Sequence, residues 1–128
     1  VNGRLQAVDF HMQEVHAGLD QALGDDSVSP LTRVRRVFEF SAEKYRTQGY
    51  LGCLLGGLGQ ELAGVSEVFR RKVDSCFSQI AGRIAGCLDD AVRRSELPPD
   101  TDAHAMAELL LNCWEGAALR TRLRPQSR

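Results

Sequence analysis

No run of apolar residues approaches the roughly 18 to 20 needed to cross a bilayer, which argues against a membrane-spanning helix. The opening Val1-Asn-Gly-Arg-Leu-Gln has no signal-peptide pattern, so the chain reads as cytoplasmic, with no membrane partner. Charge of one sign is scarce as well. Sixteen basic against 17 acidic side chains leave a formal net charge of −1, which offers no broad attraction to a phosphate backbone. The cysteines, Cys53, Cys76, Cys87 and Cys113, lack paired CxxC spacing and the density of a disulfide scaffold, so they read as reduced thiols. Strand signals are missing too. Val and Ile do not alternate with polar residues for long, no Asn-Gly or Asp-Gly joins two β-like runs, and there is no internal repeat.

Catalytic signatures are equally sparse. The glycine-rich stretch that follows Tyr50 lacks the Lys-Ser/Thr ending of a phosphate loop and the GxGxxG spacing of a dinucleotide site. No GxSxG nucleophile elbow occurs, and a Cys–His pair needs a histidine brought to Cys53 from His11, His16 or His104. These histidines read as ordinary surface or helix-edge residues. His11 and His16 stand five apart, a poor spacing for joint metal binding on a helix. The expectation is no catalytic residue, no cofactor and no metal.

What is present is a chain of 128 residues, 43 % hydrophobic and 26 % charged, which suits one compact domain spanning 1–128. Its periodicity is helical throughout, so the expected fold class is all-α, a helical bundle. Leu5, Val8, Met12, Val15, Leu19 and Ala22 recur at spacings of three and four on one stripe of a first helix. That helix has no capping residue in front of it, as if the chain were cut inside a helix. After the polar turn Gly24-Asp-Asp-Ser-Val-Ser, Ser29 can cap and Pro30 can open a second helix. Its inner face carries Leu31, Val34, Phe38, Ser41, Ala42 and Tyr45, with Arg33, Arg36, Glu39 and Glu43 outside, and Gly49 ends it.

Tyr50 to Ala63 mixes large apolar residues with Gly52, Gly56, Gly57 and Gly59, which reads as a tight buried turn with a short helix over 57–63. The longest periodic run follows. Phe69, Val73, Cys76, Phe77, Ile80, Ile84, Cys87, Leu88 and Ala91 share one face of a helix from Ser66 to about Arg94. Beside it lies a strip of small side chains, Ser78, Ala81, Gly82, Ala85 and Asp89, suited to the close approach of another helix. Thr101 or Asp100 is expected to cap a last helix from Asp102 to Leu123, with Met106, Leu110, Cys113 and Ala117 as its central stripe. Leu109, Leu111, Trp114 and Ala118 widen that stripe until little faces water, so a second subunit is the natural cover.

Two side chains carry paired readings. Cys53 is either a small apolar filler of the tight turn or a thiol that meets an electrophile or oxidant. Trp114 is either a core or interface residue or, with Phe38, Tyr45 and Phe77, the wall of a pocket between helices. Glu61 or Glu115 can supply that pocket a polar contact. The basic groups Arg35-Arg36, Arg70-Arg71-Lys72 and Arg93-Arg94 read as solvated faces or helix-end charges rather than a nucleic-acid patch.

The segments Tyr-Arg-Thr-Gln-Gly-Tyr-Leu-Gly-Cys-Leu-Leu-Gly-Gly-Leu-Gly-Gln-Glu-Leu-Ala (45–63), Val68-Phe-Arg-Arg and Leu-Leu-Asn-Cys-Trp-Glu-Gly-Ala-Ala-Leu-Arg (110–120) resemble the ligand-binding and dimerisation domain of TetR-family transcriptional repressors. They look like the branch with the acrylate-responsive AcuR and electrophile-responsive NemR regulators. The resemblance covers essentially the whole chain. It implies a homodimer joined by a four-helix interface of the last two helices, with Ser78, Gly82, Ala85, Met106, Leu110, Cys113 and Ala117 at the contact. It further implies a pocket among the second helix, the glycine segment and the facing long helix, with Cys53 in the position of a reactive thiol. The implied partner is a small-molecule effector, an electrophile or a short organic acid being the candidates. Operator DNA would be reached only through an N-terminal helix-turn-helix domain that this chain does not contain. A stand-alone helical dimerisation module without a ligand is the alternative.

Overall fold

The computed structural model describes residues 2–48 and 66–123. Four helices run α1 (Asn2–Leu23), α2 (Pro30–Gln48), α3 (Glu67–Arg93) and α4 (Ala103–Leu123), and no strand occurs among the described residues. The short helix expected over 57–63, Glu61 and Cys53 lie outside them. Among the described residues no helix is long and apolar enough to cross a membrane.

The long helix α3 is the centre of the bundle and packs against α1, α2 and α4. Its apolar face reads in the structure as it does in the sequence: Phe69, Val73, Ile80, Ile84 and Leu88 are all buried. The stripe of α1 meets it, with Val8, Met12 and Leu19 buried and Leu5 and Val15 packed on the cluster. Val34 enters from α2. Removing such apolar surface from water, at about 25 cal/mol per Å², is the main force that closes the bundle.

The helix ends follow capping chemistry. Ser29 Oγ accepts from the Thr32 amide at 3.3 Å and Pro30 opens α2, where its missing N–H costs nothing. Ser66 Oγ accepts from the Phe69 amide at 3.1 Å and starts α3. At α4 the cap is Asp102, whose carboxylate accepts from the Ala105 amide at 3.0 Å, rather than Thr101 or Asp100. The helix therefore begins one residue later than the sequence implied.

At the far end of α3 the Glu96 amide reaches the Ala91 carbonyl at 2.8 Å and the Ser95 amide reaches the Val92 carbonyl at 3.0 Å. This pair of bonds requires the residue between helix and turn to be left-handed, and Ser95 has φ 62°. Serine in that region costs more than glycine. Ser95→Gly is expected to stabilise the chain by about 0.5–1 kcal/mol, read as a higher urea midpoint with unchanged slope.

Two assignments change. Arg33 is not on the outer face of α2: it is 4 % exposed, its Nε donates to the Val28 carbonyl at 3.1 Å, and Nη1 lies 3.6 Å from the Asp90 carboxylate. The guanidinium is the polar link from α2 to α3. Its Nη2 lies 3.6 Å from Asp26, too long for a hydrogen bond. In α4 the buried stripe is Ala103, Ala107, Leu111 and Ala118, not Met106, Leu110, Cys113 and Ala117. Met106 and Leu110 lie partly buried at its edge, and Cys113 and Ala117 are exposed. An α-helix that is apolar nearly all round does not announce its inner face. Here small alanines face inward, as do Ala81 and Ala85 of α3, where close backbone approach favours small side chains.

Candidate effector cavity

A cavity of about 410 Å³ opens between the four helices. From α2 it takes Phe38, Ser41, Lys44 and Tyr45, from α3 Ile80 and Ile84, and from α4 Leu111, Trp114 and Glu115. From α1 come His11, Glu14 and Val15. Core residues such as Ile80, Ile84 and Leu111 form its floor, and half-buried residues at the edges of the inner stripes form its walls.

Trp114 organises the wall. Its ring centroid lies 6.0 Å from that of Phe38, tilted by 49°, and 6.3 Å from that of Tyr45, edge to face at 88°. Such arrangements align positive ring edges with negative ring faces and hold the indole in place. The Tyr45 hydroxyl donates to the Ala118 carbonyl at 3.3 Å, and the Ser41 hydroxyl donates to the Val37 carbonyl at 2.9 Å.

On the polar rim, Lys44 Nζ lies 3.9 Å from Glu14 Oε2. Burial lowers the His11 pKa below 6.5, Glu14 pulls it up and Lys44 pushes it further down, so the ring is neutral at pH 7. The unfolded chain therefore takes up this proton before the folded one does. Stability from this group is intact above pH 6.5 and lost as pH falls through the folded value. His11→Gln is expected to flatten the decline in urea midpoint between pH 7.5 and 5.5.

The far side of α1 is tied to α3. Lys72 Nζ meets the Asp9 carboxylate and an Arg83 amino group meets that of Asp20, each at 2.5 Å. His16 Nε2 faces Gln79 Oε1 and its Nδ1 faces Arg83 Nη1, both at 3.2 Å, which fits the tautomer that donates to Gln79 and accepts from Arg83. Thus α1 has a polar seam on α3 and an edge on the cavity.

Of the aromatic residues expected at a pocket, Phe38, Tyr45 and Trp114 come together around the void. Phe77 does not line it and packs instead against the core. Glu115 lines the wall, while Cys53 and Glu61 fall outside the described residues. The sequence reading missed His11, Glu14 and Lys44, because polar side chains at a stripe's edge look like solvent-facing ones. Ser78, Gly82, Cys113 and Ala117 of the expected interface are exposed, whereas Ala85 is buried within the chain.

The other thiols divide by burial. Cys76 and Cys87 are 2 % and 8 % exposed, burial pushes both pKa values up, and the Cys87 thiol donates to the Pro30 carbonyl at 3.3 Å. Cys113 is exposed. In a Cys53→Ser variant, Cys76 and Cys87 are expected to react with maleimide only at the rate of unfolding.

Residues 30–128 match a family model described as the tetracyclin repressor-like C-terminal domain. The chain belongs to the TetR family. It is similar to the transcriptional regulator AcuR of Cereibacter sphaeroides, with 37 % identity over 106 residues, covering 82 % of this chain and 48 % of AcuR. It is also similar to the HTH-type transcriptional repressor DhaR of Mycobacterium sp. (strain GP1), with 25 % identity over 118 residues, covering 92 % of this chain and 58 % of DhaR. The chain thus spans about half the length of these curated relatives. The crystal structure of regulatory protein TetR from Rhodobacter sphaeroides superimposes with a TM-score of 0.86 at 33 % identity, covering 93 % of this chain and 64 % of that one. The all-α fold is therefore that of a TetR-family C-terminal domain.

Proposed function

We propose that residues 1–128 act as the effector-binding and dimerisation unit of a transcriptional regulator, which releases DNA when a small molecule enters the cavity. The observation that carries this reading is the 410 Å³ apolar void walled by Trp114 and shared by all four helices of a TetR-family domain. A void that touches every helix is a place where occupancy changes how the helices sit together. Ligand binding shifts the population between two settings of α1, whose cavity edge feels the ligand while its polar seam slides on α3. DNA contact belongs to a helix-turn-helix region outside this sequence, as the name of DhaR indicates for that relative.

Dimerisation uses the outer faces of α3 and α4. On α4, Leu109 is 62 % exposed and stands in line with Cys113, Gly116 and Ala117. On α3, Ser78, Gly82 and Gly86 are exposed, and a side-chain carbon added at either glycine meets nothing within 4 Å in its own chain. Exposed mid-helix glycine costs up to about 1 kcal/mol relative to alanine, a cost that a closely approaching partner offsets. In this reading the regulator works in the cytoplasm and has no catalytic role.

A thermal-shift screen of small aldehydes, quinones, amides and acids, run beside sedimentation velocity, tests the reading. A dimer whose midpoint rises with a compound supports it. A dimer indifferent to every compound would be a plain dimerisation module, and a well-folded monomer at micromolar concentration would end both readings.

A further inference from the structure

Two hollows lie against α2. One is the cavity, which takes Val37, Phe38, Ser41 and Lys44 from this helix. The other is an apolar groove on the outside, formed by Leu31, Val34, Phe38 and Ala42 of α2 with Leu110 of α4, and rimmed by Arg35 and Glu39, whose charged groups lie 3.9 Å apart. At about 100° per residue these are two neighbouring stripes of one helix, and they meet at Phe38. Among the described residues, Phe38 is the one side chain that borders both hollows. On α4 the division falls between two consecutive residues, with Leu110 on the groove and Leu111 on the cavity.

The wall between the hollows is a side chain rather than backbone. α2 packs chiefly on α1 and α3, and α4 packs chiefly on α3, so the gap from α2 to α4 is bridged by side chains. Phe38 spans it, half-buried, with its ring centroid 6.0 Å from that of Trp114. Both sides of this wall are apolar, with Leu31, Val34 and Leu110 beyond it and Ile80 and Ile84 within. An apolar chain lying in the cavity therefore gains from each methylene it buries until its end meets the ring, where further length finds no room. We infer that Phe38 sets the length of the effector: it closes the cavity toward the groove, and its removal joins the two into one longer apolar site. The inference rests on the effector-site reading above and adds to it the residue that determines size.

Straight-chain primary alcohols from butanol to decanol change length at constant polarity, and calorimetric titration of the series into the folded chain tests the inference. In the parent, affinity should climb by about fourfold per methylene and then level off. In Phe38→Ala the climb should continue, so that decanol binds at least about tenfold more tightly than it does to the parent. Phe38→Leu, the milder change should the alanine variant fail to fold, should move the break to longer alcohols. Adding Ala42→Phe to Phe38→Ala refills the groove from one turn further along α2 and should bring the break back. A break at the same length in parent, Phe38→Ala and Phe38→Leu, or a parent series that climbs without a break, would overturn the inference. If Ser41→Phe, which fills the cavity from α2, still weakens binding in that case, the effector site stands without it. Binding that Ser41→Phe leaves unchanged, or no binding by any alcohol, would overturn the effector site and the inference together.

Discussion

Phe69→Ala is expected to destabilise the protein by about 4 kcal/mol, the loss that truncation of a fully buried ring brings. Phe69 is 1 % exposed, at the first turn of α3, where the Ser66 cap fixes the helix start and the ring enters the core cluster. Truncation removes the transfer free energy of the ring and leaves a void that the cap holds open, since the backbone there cannot slide inward without breaking the Ser66 bond. The urea midpoint should fall with little change in slope, and the thermal midpoint should fall by roughly 10–20 °C. Phe10 gives the matched control. It is 65 % exposed on α1, so Phe10→Ala should stay within about 0.5 kcal/mol of the parent. Equal losses from the two phenylalanines would mean that the core is not where α3 places it.

Cys113→Arg is expected to weaken the dimer at least about a hundredfold, or ~2.7 kcal/mol, while leaving the fold of each protomer intact. The side chain is exposed within its own chain, so a guanidinium there meets water in the isolated protomer and disturbs little. Against a two-fold partner the same group would be buried twice, once from each copy, beside the apolar Leu109. Sedimentation equilibrium over a concentration series reads the change, and helical circular dichroism checks the protomer. If the variant stays as tightly dimeric as the parent, the α4 face is not the contact.

How far the fold could be read without coordinates depended on contrast between faces. In α1 the spacing of Val8, Met12, Leu19 and Ala22 marks one inner side because polar residues fill the rest, and all four are buried. Ser29 with Pro30 marks the start of α2 equally well, because cap and first-turn chemistry are local. In α4 the contrast fails. Leucines and alanines occupy both sides, and the buried set, Ala103, Ala107, Leu111 and Ala118, is fixed by the faces it packs against rather than by a pattern within α4. Arg33 escaped for a related reason: a guanidinium is usually outside, and only the positions of Val28 and Asp90 make it an interior link. The cavity was half legible. Its aromatic wall sits on inner stripes, whereas His11 and Glu14 acquire their role from the helix they happen to face.

The chain has one tryptophan, and it stands on the cavity wall between Phe38 and Tyr45. Its ultraviolet emission therefore comes from a single known spot, with no background from other indoles. Occupancy of the void can be followed with a fluorimeter in the unlabelled protein, as quenching or a colour shift of that one indole.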